Sequence, residues 1–291
     1  MLRLSKNGSY CLLACLLLAW PGLRSQPKGS PCAECAAWNA PQKPFRIYGN
    51  TYYVGPRGLS SILVTSGAGH VLLDGALPES AGPIAASIRS LGFRTEDVKL
   101  IVNSHVHFDH AGGLAELQRW SGAAVVASPW SAAIMTKSGV GRDDPQYGTI
   151  PPIAKVARVE LLRDGQTFRV GQLAITAHLT PGHTPGGTSW TWQSCEAGRC
   201  LGIVYADSLT PVSAAGFKFT SSRGAIQDFE KSFAFLRAAA CDILLTTHPD
   251  ASAFWTRVEG RQPMVDPEAC RQLAGRAEEQ LRRRIAVETG R

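Results

Sequence analysis

The stretch Ser104-His105-Val106-His107-Phe108-Asp109-His110-Ala111-Gly112-Gly113 decides how the rest of the chain is read. Three of the chain's seven histidines and one aspartate crowd into it. It follows directly on the apolar run 98–102, which reads as a short buried strand. Imidazole nitrogen and carboxylate oxygen are the donors zinc prefers. In extended backbone alternate side chains share a face, so His105 and His107 can point the same way. Asp109 and His110 can then turn toward a second metal position. A polar loop with unrelated histidines is the bland alternative, and the crowding argues against it.

Two more histidines stand in similar settings. His183 lies in Thr180-Pro181-Gly182-His183-Thr184-Pro185-Gly186-Gly187, past a predicted strand, where prolines and glycines fix the loop. His248 follows the apolar run Leu244-Leu245 in Thr246-Thr247-His248-Pro249. Either alone would more often be structural. Together with the cluster they give five histidines and one aspartate, each placed just after a strand. His70 and His178 have no motif around them and read as structural.

Outward from these loops, strands are expected at 45–48, 52–54, 60–64, 70–73, 98–102, 123–127, 173–179, 188–192, 201–205 and 243–245. Helices are expected at 80–91, 114–120 and 225–238, with a further helix at the C-terminus. Two runs of strands with helices interspersed, and no steady βαβ alternation, suggest two sheets with helices outside. No linker-like stretch divides the middle, so residues 26–291 are expected to form a single domain.

Residues 1–25 stand apart. Arg3 and Lys6 precede an apolar run from 11 to 20 and then Pro21-Gly22. This is the layout of a secretory signal peptide, too short to span a bilayer. The protein is accordingly expected in the periplasm or secreted, with no stable membrane association after cleavage. The net charge is +7, and the segment holds three bases and no acids, leaving +4. Much of that charge is in Arg271, Arg276, Arg282, Arg283 and Arg284, read as the solvated face of a C-terminal helix. No nucleic-acid motif accompanies it, so no nucleic-acid partner is expected. Six of the eight cysteines lie beyond the segment, an even number that suggests disulfides in an exported protein. Cys195 and Cys200 bracket a hairpin turn. Cys241 and Cys270 could tie the C-terminal helix to the last strand. Cys32 and Cys35 form a C-x-x-C pair, read as a local disulfide ahead of a redox or zinc site.

The His-x-His-x-Asp-His run, the lone histidine after a Pro-Gly step and the last histidine near the C-terminus resemble the metallo-β-lactamase superfamily, over residues 44–284. The resemblance implies an α+β fold, an αββα sandwich with metals at one edge. Within the superfamily the chain looks most like β-lactamases of subclass B3, which implies two Zn2+ ions. His105, His107 and His183 would hold the first, and Asp109, His110 and His248 the second. In Tyr205-Ala206-Asp207-Ser208-Leu209-Thr210 a serine stands where other subclasses place a cysteine ligand. The resemblance makes Ser208 and Thr210 contacts to the substrate carboxylate, and Gln146, in Asp143-Asp144-Pro145-Gln146, a residue over the site. Some relatives have a cysteine near Gly55-Pro56-Arg57-Gly58 that pairs with the N-terminal region. Here Arg57 occupies that stretch, leaving Cys32 and Cys35 to each other.

The implied function is hydrolysis of the β-lactam amide of penicillins, cephalosporins and carbapenems through a zinc-bound hydroxide, by a monomer acting on small molecules. Asp109 would orient the nucleophile as well as bind metal, and the second zinc would steady the departing nitrogen. Asp74 and Asp207 are the candidate acceptors for the far nitrogens of the ligand histidines. The alternative is an exported lactonase or thioester hydrolase of the same superfamily. In such enzymes an aspartate from a Gly-Asp step bridges the metals, and Ala206-Asp207 could mimic that step. A zinc-storage protein is a further alternative, disfavoured because three ligands per metal leave positions open.

Overall fold

The central strands are largely apolar because both of their faces are covered. In the computed structural model, which describes residues 32–290, two sheets stack face to face. The first runs in spatial order β1 (Phe45–Tyr48), β2 (Thr51–Tyr53), β3 (Ile62–Ser66), β4 (Gly69–Leu73), β5 (Val98–Val102), β6 (Ala124–Ala127), β7 (Val159–Leu161). It is antiparallel from β1 to β4 and parallel from β4 to β7. The second is made of β8 (Thr167–Val170), β9 (Leu173–Leu179), β10 (Thr188–Glu196), β11 (Arg199–Ala206) and β12 (Ile243–Thr246). Its first four strands form an antiparallel meander, and β12 joins β11 in parallel. The helices are α1 (Cys35–Trp38), α2 (Ala81–Ser90), α3 (Phe108–Ala111), α4 (Leu114–Ser121), α5 (Pro129–Met135), α6 (Ala225–Ala238), α7 (Phe254–Val258) and α8 (Ala269–Thr289).

Residue alternation sorts side chains into three cores. Val71 and Leu73 of β4, with Ile203 and Tyr205 of β11 and Ile243 and Leu245 of β12, meet between the sheets. Leu72 and Ile101 point the other way, onto Ile84, Ile88, Leu114 and Leu117 of α2 and α4. Val204 and Leu244 pack outward on Phe229, Phe233 and Leu236 of α6 and Leu273 of α8. The result is the expected αββα sandwich. The described residues belong to one compact unit, and none of their helices is long and apolar enough to cross a membrane. The segment read as a signal peptide lies outside the described residues.

Several expected elements are shifted or extended. β10 and β11 run on to Glu196 and back from Arg199, so that Cys195 faces Cys200 in register. Cys195–Cys200, Cys241–Cys270 and Cys32–Cys35 are all bonded. Cys241–Cys270 closes 29 residues, a loop whose constraint on the unfolded chain is worth roughly 3–4 kcal/mol. It clamps the start of α8 beside β12.

The loops that follow β5, β9, β11 and β12 gather at one end of the sandwich. Thr188 N donates to Ser104 O at 2.8 Å, and Ser60 N donates to Thr247 O at 2.8 Å, stitching the two sheets together there. Trp190 Nε1 donates to Asn103 O at 3.0 Å from within the core.

Candidate metal centre

The cluster after β5 is held by a buried carboxylate. Asp74, in the left-handed conformation (φ 58°) just past β4, accepts from Ser104 N at 2.7 Å, Ser104 Oγ at 2.6 Å and Asn103 Nδ2 at 2.9 Å. Tyr205 Oη donates to it at 2.7 Å. These bonds set the exit direction of the chain. His105 is then fully buried, and His107 remains extended (φ −80°, ψ 154°) as the residue capping the single turn α3. That turn presents Asp109 and His110. Gly112 follows because a Cβ there would lie 2.2 Å from Phe108 O.

His183 comes from the β9–β10 loop, and His248 from the residues after β12. Gly187 closes the first loop, where a Cβ would lie 2.4 Å from both Thr180 O and Asp207 Oδ2. Thr246 Oγ1 donates to His248 O at 2.7 Å, and the Trp38 ring lies 5.2 Å from that of His248.

All six expected ligands meet. In the first group each histidine spends one nitrogen on an outer acceptor. His105 Nδ1 donates to Asp207 Oδ1 at 2.7 Å, His107 Nε2 to Asp144 Oδ2 at 2.9 Å, and His183 Nδ1 to Thr210 O at 2.8 Å. His105, His107 and His183 offer donor atoms within 4.8 Å of one another. His105 Nε2 is buried without a hydrogen-bond partner among the described residues. In the second group Asp109 Oδ2 lies 3.1 Å from His110 Nε2 and 3.3 Å from His248 Nε2, and the two nitrogens are 3.2 Å apart. His105 also lies within 4.8 Å of Asp109 and His110, so it joins the groups.

Electrostatics favour a cation here. Burial, followed by the neighbouring histidines, pushes His105 well below the ordinary imidazole range. Burial and His107 lower His183 to about 3. Both are neutral lone-pair donors at physiological pH. Burial alone would raise Asp109, but His110 and His248 outweigh it and hold the carboxyl well below its usual range. His110 is conversely raised, because Asp109 overcomes the effect of burial. Burial pushes Asp207 up. Two donors on a tetrahedral zinc with 2.0–2.2 Å bonds stand about 3.4 Å apart, close to the spacing of the second group. An inward imidazole nitrogen with no protein partner, and donors at this spacing, fit a metal ion.

The group opens on a cleft of about 480 Å³ lined by His107, Asp109, His183 and His248. Ser208, Thr210 and Gln146 also line it. Ser208 Oγ lies 2.9 Å from Thr247 Oγ1, and Gln146 Nε2 lies 3.4 Å from His183 Nε2. His178 is elsewhere, bonded to Thr191 and stacked on Phe235, and His70 packs on Phe93. Asp74 departs from expectation. It holds the Ser104 turn and accepts from no ligand histidine, and Asp144 takes the acceptor role beside Asp207. Thr210 contributes its carbonyl as well as its side chain. Arg276 is exposed, as expected of a solvated helix face, and it also lines the cleft. Arg284 is half-buried against Phe219 and donates to Phe217 O.

Comparison with known proteins agrees with this arrangement. The metallo-beta-lactamase superfamily profile matches residues 54–196. Among solved structures, the Rm3 metallo-beta-lactamase is 55% identical with a TM-score of 0.86, over 89% of this chain and 99% of that one. MEM-A1, a subclass B3 metallo-beta-lactamase isolated from a soil metagenome library, is 48% identical with a TM-score of 0.84, over 87% and 99%. A hydroxyacylglutathione hydrolase of Anaeromyxobacter dehalogenans (strain 2CP-C) is 30% identical over 148 residues, 51% of this chain and 45% of that enzyme. The chain thus spans less than half the length of that relative.

Proposed function

Because the chain belongs to the metallo-β-lactamase superfamily, we propose that it is a zinc-dependent β-lactamase that opens the lactam amide of penicillins, cephalosporins and carbapenems. The observation that carries this reading is the pair of adjoining donor groups, joined at His105, beneath an open cleft. The likeness to B3 enzymes over nearly their whole length supports it.

In this reading His105, His107 and His183 hold one Zn2+, and Asp109, His110 and His248 hold a second. Two such ions would supply Lewis acidity, making a nucleophilic oxygen available near neutral pH and drawing charge from the lactam carbonyl. Asp109, anionic at neutral pH by the ion pairs described, accepts a hydrogen bond from the attacking water and aims its oxygen at the carbonyl carbon. Water adds across the C–N bond, with oxygen to carbon and a proton to the nitrogen. The nitrogen departs on the Asp109–His110–His248 side. Ser208 and Thr210 donate hydroxyl hydrogen bonds to the substrate carboxylate, and Gln146 overhangs the cleft beside His183. We further assign residues 1–25 as a signal peptide, 26–291 as one domain, and the mature protein as a monomer of the periplasm or exterior. The three disulfides support an oxidising compartment.

Nitrocefin hydrolysis by the purified protein, abolished by EDTA and restored by Zn2+, is the expected result. A panel of penicillin, cephalosporin and carbapenem then sets its range. No turnover of any of them in the zinc-loaded protein sinks the reading. The hydroxyacylglutathione hydrolase matches favour a second reading, a thioester hydrolase. That reading needs Asp207 as a ligand between the metals, whereas its Oδ1 backs His105 Nδ1 at 2.7 Å. Cleavage of a glutathione thioester at a rate exceeding nitrocefin turnover would favour it.

A further inference from the structure

One wall of the cleft is α8. Leu273, Arg276, Ala277 and Gln280 line the cavity at helical spacing. Among the described lining residues Arg276 is the one lysine or arginine. It also differs from the other arginines of its helix. Arg271, Arg282, Arg283 and Arg284 each have a carboxylate within 4.0 Å. Arg276 has none among the described residues, and its one hydrogen bond is from Nη2 to Ala251 O at 3.2 Å. Ala251 belongs to the turn after His248, its N–H donating to His248 O at 3.1 Å. One donor therefore anchors the guanidinium beside His248 and leaves the other four for a ligand.

The chemistry of the substrate fits this position. A β-lactam carries its carboxylate on the carbon bonded to the lactam nitrogen, so an anion lies wherever that nitrogen departs. That is the His248 side. Ser208, bonded to Thr247, faces the same side, but its hydroxyl and that of Thr210 carry no charge. The acidic side chains in the lining, Glu34, Asp109 and Asp207, offer an anion no attraction. We propose that Arg276 is the specificity-determining cation that holds the substrate's carboxylate; this rests on the β-lactamase reading above. Its planar fork suits a carboxylate bidentately.

The test compares a cephalosporin with its own methyl ester on the zinc-loaded full chain. Arg276→Ala raises KM for the free acid by about tenfold with kcat little changed, because an exposed charge-assisted contact of this kind is partly screened. The ester, lacking the charge, loses less than about twofold from the same substitution. Arg276→Lys recovers part of the acid's KM, and added salt narrows the gap between acid and ester in the unaltered protein. Arg282→Ala, on the same helix but paired with Glu278, changes neither substrate. Equal effects of Arg276→Ala on acid and ester, or none on either, overturn the assignment while leaving the β-lactamase reading intact. If the unaltered protein hydrolyses neither compound, it is that reading which fails, and this one with it.

Discussion

The two donor groups share His105 yet are built differently. In the first, every imidazole has its far nitrogen fixed by an acceptor outside the group: Asp207, Asp144 and the Thr210 carbonyl. In the second, Asp109, His110 and His248 chiefly hold one another. His110 Nδ1 is buried with no partner among the described residues, and the His248 side chain is 31% exposed, backed by the Trp38 ring. Outer acceptors fix tautomer and ring orientation before an ion arrives. The first group is therefore set in advance, and the second is assembled largely by attraction between its own members.

The sharpest way to break this contrast is to strip the metal in steps. Competition with a graded chelator should remove two equivalents at separate concentrations, the first from the Asp109–His110–His248 group. Complete removal should cost at least about a thousandfold in turnover, since Lewis acidity and a reactive oxygen are lost together. Simultaneous loss of both equivalents contradicts the contrast. Next in size is Asp207→Asn, which preserves shape but replaces the carboxyl acceptor of His105. Affinity for the more tightly held ion should fall roughly ten- to a hundredfold, read by chelator competition with folding followed by circular dichroism. An affinity unchanged by this variant means that the outer acceptors do not set the first group.

Trp38→Ala addresses the other side. Removing the ring beside His248 should weaken the looser ion by about three- to tenfold and leave the tighter one alone, an outcome expected of a ligand held by packing and not by an acceptor. A loss spread evenly over both ions would show that α1 supports the whole end of the sandwich.

Legibility in the sequence followed contiguity and coverage. His105, His107, Asp109 and His110 could be read as one cluster because a single strand end carries them. His183 and His248 joined it because each follows a predicted strand, and only the superfamily resemblance divided the six residues between two metals. The central strands were readable because burial on both faces makes them largely apolar. β7 and β8 were not, because their residues are mostly exposed. α5 has a start signal, with Ser128 capping and Pro129 at the first position, but seven residues are too few for helical periodicity to emerge. The acceptors were the hardest part. Asp207 lies 102 residues from His105 and Asp144 lies 37 from His107. One aspartate looks like another until the fold brings it to a ring nitrogen, which is why Asp74 stood beside Asp207 as a candidate. Arg276 was hidden in the same way, one arginine among five in a helix whose other members find acids.

The smallest expected effect tests the contrast most finely. His183 is backed by a backbone carbonyl, so its acceptor survives any ordinary replacement of the Thr210 side chain. Thr210 Oγ1 lies 3.3 Å from His183 Nδ1, farther than the carbonyl at 2.8 Å, and the shorter bond carries most of the orientation. Thr210→Ala should therefore leave both metal affinities within about twofold, unlike Asp207→Asn, whose acceptor is the side chain itself. It removes one neutral hydroxyl from the proposed carboxylate site, a loss of about 1 kcal/mol or several-fold in KM. Metal competition and steady-state kinetics on the same preparation separate the two roles. Should Thr210→Ala release metal as readily as Asp207→Asn does, the Oγ1 contact is the one that orients His183, and the first group is less firmly set than its geometry implies.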